Sequence, residues 1–471
     1  IVGVVLHNDT ELVSHWESSD PVLNRFFHNV VWTQRSNFLE VPTDCPQRDE
    51  RFGWTGDAQV YARAATYNAD VAAFFTKWMQ DLRDAQVPEG AYPDYAPYPM
   101  QHGGSGKPYA TAWTDAGVIV PWEIYTAYGD ERLLREHYAS VQQFIEFRRT
   151  TSPDYMGKQL GNGWGDWLAM GETTPLPFID HCYYAWSTHL AAQIADVLGE
   201  TQDAEDYRAL SDRVRETFAQ TYVNGDGTLT VDTQTAYVLA LDIGLIPEDN
   251  VDAAAARLVE KIVENDRRMT TGFLGTRPLL PVLTKTGHFE LAAELMQSRR
   301  FPSWGYAVMQ GATTVWERWN SYTIEDGFQE GMNSFNHYAF GAVVEWMFGT
   351  LAGIRPATQG YGDITIRPHV PLEEPVQDVP RLDYVKARHV CMRGLIESAW
   401  RRDGGMLTLE VAIPANTVAT VHVPASAEAP VHVDGLAVDD SPLIEVLARE
   451  PRETKVRVPS GRYVFTATLP E

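Results

Sequence analysis

From Asp20 to about residue 355 the apolar residues recur with a helical period, and nothing between the helical segments reads as a sheet. The first helix opens at Asp20-Pro21, with Asp20 placed to cap the free amides and Pro21 in the first turn, and runs through Phe38. The second carries Tyr61, Ala62 and Ala65. In the third, Val71, Phe74, Phe75, Trp78 and Leu82 fall on one face at i, i+3, i+4, i+7 and i+11. Further helices are expected at 114–128, 130–149, 179–198, 202–221, 232–243, 249–264, 276–285, 287–298, 304–312 and 333–352. About a dozen helices joined as hairpins are hard to bury in a four-helix bundle, whereas an inner ring of six inside an outer ring of six buries them all. That arrangement, an (α/α)6 barrel, leaves a cavity at the end where the loops into the inner helices converge. A solenoid would need a fixed repeat, which the sequence lacks.

From Pro356 the pattern changes to short alternating segments punctuated by Gly, Pro and Asn. In MLTLEVAIP, Leu407, Leu409, Val411 and Ile413 alternate with other residues, as in a strand with one buried face. Strands at this spacing predict an antiparallel β-sandwich over residues 356–471. The helical residues 16–355 form the other domain. Residues 1–15, which open with the strand-like IVGVVLH and no methionine, read as a remnant of an upstream β domain and a linker.

Chemistry concentrates in residues 41–68, VPTDCPQRDERFGWTGDAQVYARAATYN. The carboxylates Asp44, Asp49, Glu50 and Asp57, the guanidiniums Arg48 and Arg51 and the ring of Trp54 lie within fourteen positions. Pro46, Gly53 and Gly56 break regular structure, so these groups sit on a loop that can aim several polar side chains at one small ligand. A solvated acidic loop would not need Phe52, Trp54 and two glycines among its charges.

The pattern of Asp44, six residues to Glu50, four to Trp54 and three to Asp57, within DCPQRDERFGWTGDA, resembles the signature of the bacterial α-L-rhamnosidases of glycoside hydrolase family 78. The resemblance implies an (α/α)6 barrel followed by a β domain, Glu50 as general acid, and Asp44 and Asp57 as ligands of the sugar hydroxyls. Arg48 is expected beside them, because vicinal diols suit bidentate partners. Trp54 and the neighbouring acids are expected to keep Glu50 protonated. Arg51 is a candidate structural residue.

Hydrolysis of a glycoside needs a second carboxylate. The best candidate is Glu317 in GATTVWERWNSY, where Trp316 and Trp319 would dry it and Arg318 would keep it charged. The segment resembles the one that carries the family's general base. His337, in GMNSFNHYAF, is expected to open the last helix and, by resemblance, to contact the sugar. Trp113 and Asp115 in YATAWTDAG, and Trp164, Asp166 and Trp167 in GNGWGDWLAMG, read as pieces of the same wall. By resemblance Trp113 and Trp167 form its apolar side, where the C6 methyl of a 6-deoxy sugar would lie. The Pro/Gly/Tyr-rich residues 93–110 either edge the leaving-group site or only connect helices.

The expected activity is therefore inverting hydrolysis of terminal α-L-rhamnosides, with Glu50 and Glu317 roughly 6.5–9.5 Å apart. Another (α/α)6 exo-glycosidase and a non-catalytic sugar-binding fragment are the alternatives. A net charge of -25 disfavours nucleic acid and anionic membranes as partners, while a neutral sugar meets no such barrier. The three cysteines, Cys45, Cys182 and Cys391, show neither disulfide nor metal spacing, and no metal or other cofactor is called for. Cys45 lacks a histidine to activate it as a nucleophile. No signal peptide is visible, so a cytoplasmic location is expected over a secreted one; self-association is left open.

Overall fold

The computed structural model of the chain describes residues 2–99 and 107–470. Among them, twelve helices precede a final helical segment: α1 (Pro21–Asn37), α2 (Thr55–Asn68), α3 (Ala72–Asp84), α4 (Ala116–Tyr128), α5 (Glu131–Thr151), α6 (Leu176–Leu198), α7 (Thr201–Tyr222), α8 (Gln234–Ile243), α9 (Val251–Glu264), α10 (Phe273–Lys285), α11 (Phe289–Gln297) and α12 (Trp304–Met309). The even-numbered helices α2 to α10 pack each on the next, and the final segment, 339–351, closes the ring against α10 and α2. This is the inner ring of an (α/α)6 barrel. Every residue of α2 is buried, as a helix enclosed on all sides requires. Outer helices bury one face only: α3 buries Phe74, Phe75, Trp78, Met79 and Leu82. Asp20 caps α1 by accepting from the Val22 amide at 2.9 Å, with Pro21 in the first turn, as the sequence indicates.

The last inner element departs from the expected helix over 333–352. Residues 333–338 are not helical, and the segment then passes through 3-10 (Ala339–Val343), α (Val344–Trp346) and π (Met347–Leu351) geometry. The cause is competition for the backbone. The Glu317 amide donates to Ser334 O and the His337 amide to Val315 O, both at 2.9 Å, so this stretch pairs with residues 315–317 instead of with its own turns. His337 therefore precedes the helical segment rather than opening a regular helix.

The strands that follow join Ser14–Ser18 in one hydrogen-bonded, ten-stranded sheet, antiparallel except where Asp363–Ile366 runs parallel to Met406–Pro424. Two long strands, Met406–Pro424 and Glu453–Thr468, pair along their length and share a register break between Ile413 and Val418. Before the break Met406–Pro424 has Gly394–Asp403 as its other partner; beyond it, Asp363–Ile366 takes that place. The antiparallel β domain expected over residues 356–471 is thus present, its strands joined into one sheet by the long pair. The strand expected at the N-terminus is also displaced. Val2, Val4, Val5 and Leu6 are exposed and have no ladder partner among the described residues, and the first strand is Ser14–Ser18. It pairs antiparallel with Tyr384–Cys391.

Candidate active site

At the end of the barrel where residues 41–57, 113, 164–167, 317 and 332–337 converge, a cavity of about 250 Å³ is lined by Asp44, Arg48, Glu50, Trp54, Asp57, Trp113, Trp164, Trp167, Glu317, Met332 and His337. This is room for one sugar ring rather than for an oligosaccharide. Exposure orders the lining by depth. Asp44, Asp57, Trp113, Glu317 and His337 are all buried, Arg48, Glu50, Trp54, Trp164 and Trp167 are partly open, and Met332, at 37%, is exposed.

The polar groups fall into two sets, one around Asp44, Arg48, Glu50 and Glu317 and one pairing Asp57 with His337. Asp44 accepts from the Phe52 amide at 2.9 Å and from the Cys45 thiol at 2.8 Å, which fixes the turn between them. Asp57, in the first turn of α2, is 3.0 Å from Nε2 of His337. Arg48 donates through Nη2 to Glu50, and through Nη1 to Asn333 O at 3.1 Å and to Glu317 Oε2 at 3.5 Å. Trp54 donates its indole N–H to Oε1 of Glu50 at 2.9 Å.

Burial governs the electrostatics. It pushes the Asp44 carboxyl up, with Glu50 and Asp57 adding to the rise and His337 opposing it. It likewise raises Glu317, against the pull of the His337 and Arg48 cations. Burial opposes a charge on His337, but its hydrogen bond to Asp57 and the surrounding carboxylates outweigh that and lift it to about 9, so the ring is an imidazolium at neutral pH. Burial acts against the charge on Arg48 too, and Glu317 and Glu50 more than offset it. Two cations thus stand among four carboxyl groups.

The apolar side is a chain of edge-on indoles. Trp164 lies 5.4 Å from Trp54 and 5.7 Å from Trp167, centroid to centroid. Buried acids anchor it. Asp94 accepts from Trp164 Nε1 at 3.3 Å and from Asn162 at 2.8 Å, and its own carbonyl accepts from the Thr55 amide at the start of α2. Asp166 accepts from Thr235 and from the amides of Gly272, Leu274 and Gly275, which ties the Trp164–Trp167 turn to the N-terminus of α10. Trp113 reaches the cavity across the first turn of α2, where a Cβ on Gly56 would lie 2.2 Å from its ring.

The chain matches the family model of the bacterial α-L-rhamnosidase six-hairpin glycosidase domain over residues 11–351, and that of the bacterial α-L-rhamnosidase C-terminal domain over 353–435. The chain belongs to the bacterial α-L-rhamnosidase family. An α-L-rhamnosidase of Streptomyces avermitilis is 43% identical over 426 residues, 90% of this chain and 40% of the relative. One from Formosa agariphila is 36% identical over 99% of this chain and 50% of its own length. The crystal structure of the Streptomyces avermitilis α-L-rhamnosidase complexed with L-rhamnose superposes with a TM-score of 0.89 at 40% identity, covering 98% of this chain and 42% of that one. The chain therefore spans half or less of the length of these α-L-rhamnosidases.

Of the ten site residues expected from sequence, nine line this rhamnosidase-family cavity: Glu50, Glu317, Asp44, Arg48, Trp54, Asp57, Trp113, Trp167 and His337. Asp115 does not. It sits at the start of α4, fully buried behind the wall, and accepts from Ser187 Oγ at 2.6 Å. Its proximity to Trp113 in sequence had suggested a common face, but successive side chains entering a helix diverge. The surroundings of both glutamates also differ from expectation. Glu50 is not dried by its neighbours: its side chain is 27% exposed and its closest charged partner is a cation, Arg48. Beside Glu317, Trp316 turns toward Phe335, Trp319 stacks on Phe340, and Arg318 donates to Asn320 and to Met332 O. Arg48, far away in sequence, supplies the counter-charge instead.

Trp164, read in sequence as part of the same wall, and Met332, not singled out at all, complete the lining. Nothing in the pattern around Met332 marks it; it is held at the rim through its own carbonyl and the two that follow, which accept from Arg318, Arg48 and the Glu317 amide. Arg51 bonds Pro46 O and holds the loop from outside. Asp44, Cys45 and Glu50 bring three potential metal ligands together, but burial and Asp44 push the Cys45 thiol far up, and it serves as a donor to Asp44. Of the loop over residues 93–110, positions 100–106 lie outside the described residues, and Asp94 holds the indole wall.

Proposed function

We propose that this chain carries the catalytic machinery of an exo-acting α-L-rhamnosidase that hydrolyses terminal α-L-rhamnosides with inversion. The observation that carries the reading is the depth of the two glutamates in one cavity: Glu50 near the mouth, Glu317 within, and one guanidinium touching both. A terminal sugar bound at the bottom directs its glycosidic oxygen toward the mouth, within reach of Glu50. Glu50 donates a proton to that oxygen as the bond to C1 breaks. Glu317 takes a proton from the water that forms the new bond to C1 from the opposite face. Burial raises Glu317, which strengthens it as a base, while the His337 and Arg48 cations oppose that rise. Asp44, Asp57, Arg48 and His337 would engage the ring hydroxyls, and the indole wall would accept a methyl group where another hexose carries a hydroxymethyl.

The test is Glu50→Gln assayed with a series of rhamnosides of differing leaving groups, alongside a panel of other glycosides. An acid matters least where the leaving group departs unaided. The variant should therefore lose several orders of magnitude on alkyl rhamnosides and far less on 4-nitrophenyl rhamnoside, while free rhamnose still binds. A loss independent of the leaving group removes Glu50 from the acid role. Hydrolysis of glucosides or uronides in preference to rhamnosides sinks the substrate assignment, and a first-formed product of retained anomeric configuration sinks inversion.

A further inference from the structure

We propose that Met332 is a leaving-group contact that favours rhamnosides whose aglycone presents an apolar, aromatic face beside the glycosidic oxygen. This deepens the rhamnosidase reading and rests on it. Met332 is the most exposed of the residues lining the cavity, which places it at the mouth, beyond the sugar and on the side where whatever is attached to the sugar must emerge. Its backbone is held while the residue stays 37% exposed. Met332 O accepts from Arg318 Nη1 at 3.1 Å, Asn333 O from Arg48 Nη1 at 3.1 Å, and Ser334 O from the Glu317 amide at 2.9 Å. Three consecutive carbonyls are thus pinned to groups in or beside the site, and Arg48 and Glu317 fix the position of the rim directly.

The side chain presented there is an unbranched thioether, able to adapt to the edge or face of a ring and to gain from sulfur–aromatic contact. The same segment continues as apolar surface, with Phe335 36% and Phe328 70% exposed and their rings edge-on at 5.8 Å. A hydrophilic second sugar would find no hydrogen-bond partner in the Met332 side chain.

The experiment compares kcat/KM for an aryl rhamnoside and for a rhamnosyl-glucose disaccharide in the wild type, Met332→Ala and Met332→Leu, together with inhibition by free L-rhamnose. In Met332→Ala the ratio of aryl to disaccharide kcat/KM should fall about three- to tenfold, mainly through KM, and Met332→Leu should restore most of it. Equal losses on both substrates, or no loss, overturn the assignment. So does weaker rhamnose inhibition in parallel, because the side chain then touches the sugar itself. A wild type that hydrolyses neither substrate refutes the rhamnosidase reading instead, and the two failures are thereby distinct.

Discussion

Nη1 of Arg48 lies 3.5 Å from Oε2 of Glu317, 269 positions away in the chain, while Nη2 of the same guanidinium holds Glu50. A single cation therefore stands between the two carboxylates that the proposed reaction requires in different protonation states. Arg48 lowers Glu317 against the rise caused by burial.

Replacing Arg48 by Gln should thus let Glu317 move further up. Since the base must be ionised, the acidic limb of the kcat/KM profile should shift to higher pH, and activity at its optimum should fall by about a hundredfold or more. A pH–rate profile checks this, and a limb that stays in place would show that the pair has no part in tuning the base.

His337 carries a pH signature in stability. Its ring is lifted from about 6.5 to about 9 in the folded protein, so folding favours the protonated form. The stabilisation is fully present below the unfolded value and is lost as the pH rises through about 9. Thermal melts of the wild type should accordingly decline between those values by an amount on the order of 1–3 kcal/mol. His337→Asn should be less stable at pH 6 and show a flatter dependence over the window. Parallel curves for the two proteins would contradict the assigned pairing with Asp57.

Gly56 lets Trp113 lie against the first turn of α2. In Gly56→Ala the new Cβ meets the indole at 2.2 Å, and neither an inner-ring helix nor a buried ring can retreat easily. We expect a loss of about 1–3 kcal/mol in stability and weaker binding of rhamnose, because the wall shifts into the cavity. Unchanged Tm and unchanged inhibition by rhamnose would mean that Trp113 has a second position open to it.

Much of this was legible in the chain, for identifiable reasons. The amphipathic outer helices and the cap at Asp20 announce themselves locally, and the loop from Asp44 to Asp57 keeps its cavity residues within one turn-rich stretch, although the roles of Asp44, Glu50 and Asp57 there were read from the family resemblance. What sequence could not supply was the partner of each side chain. Arg318 is the neighbour of Glu317, yet Arg48 is its counter-ion; Asp115 is two residues from Trp113, yet it faces Ser187. The helix expected from residue 333 was lost because its first amides and carbonyls are claimed by the 315–317 backbone, a long-range pairing that propensity does not reveal.

The strand Ser14–Ser18 lies ahead of the first barrel helix but takes its ladder partner, Tyr384–Cys391, from the sheet that follows the last one. The polypeptide therefore cannot be cut cleanly between helices and strands. A fragment ending at residue 355 would carry an unpaired ribbon, and one beginning at 356 would expose the flank of Tyr384–Cys391, so each half is expected to aggregate more readily than the intact chain, in which the two strands cover one another.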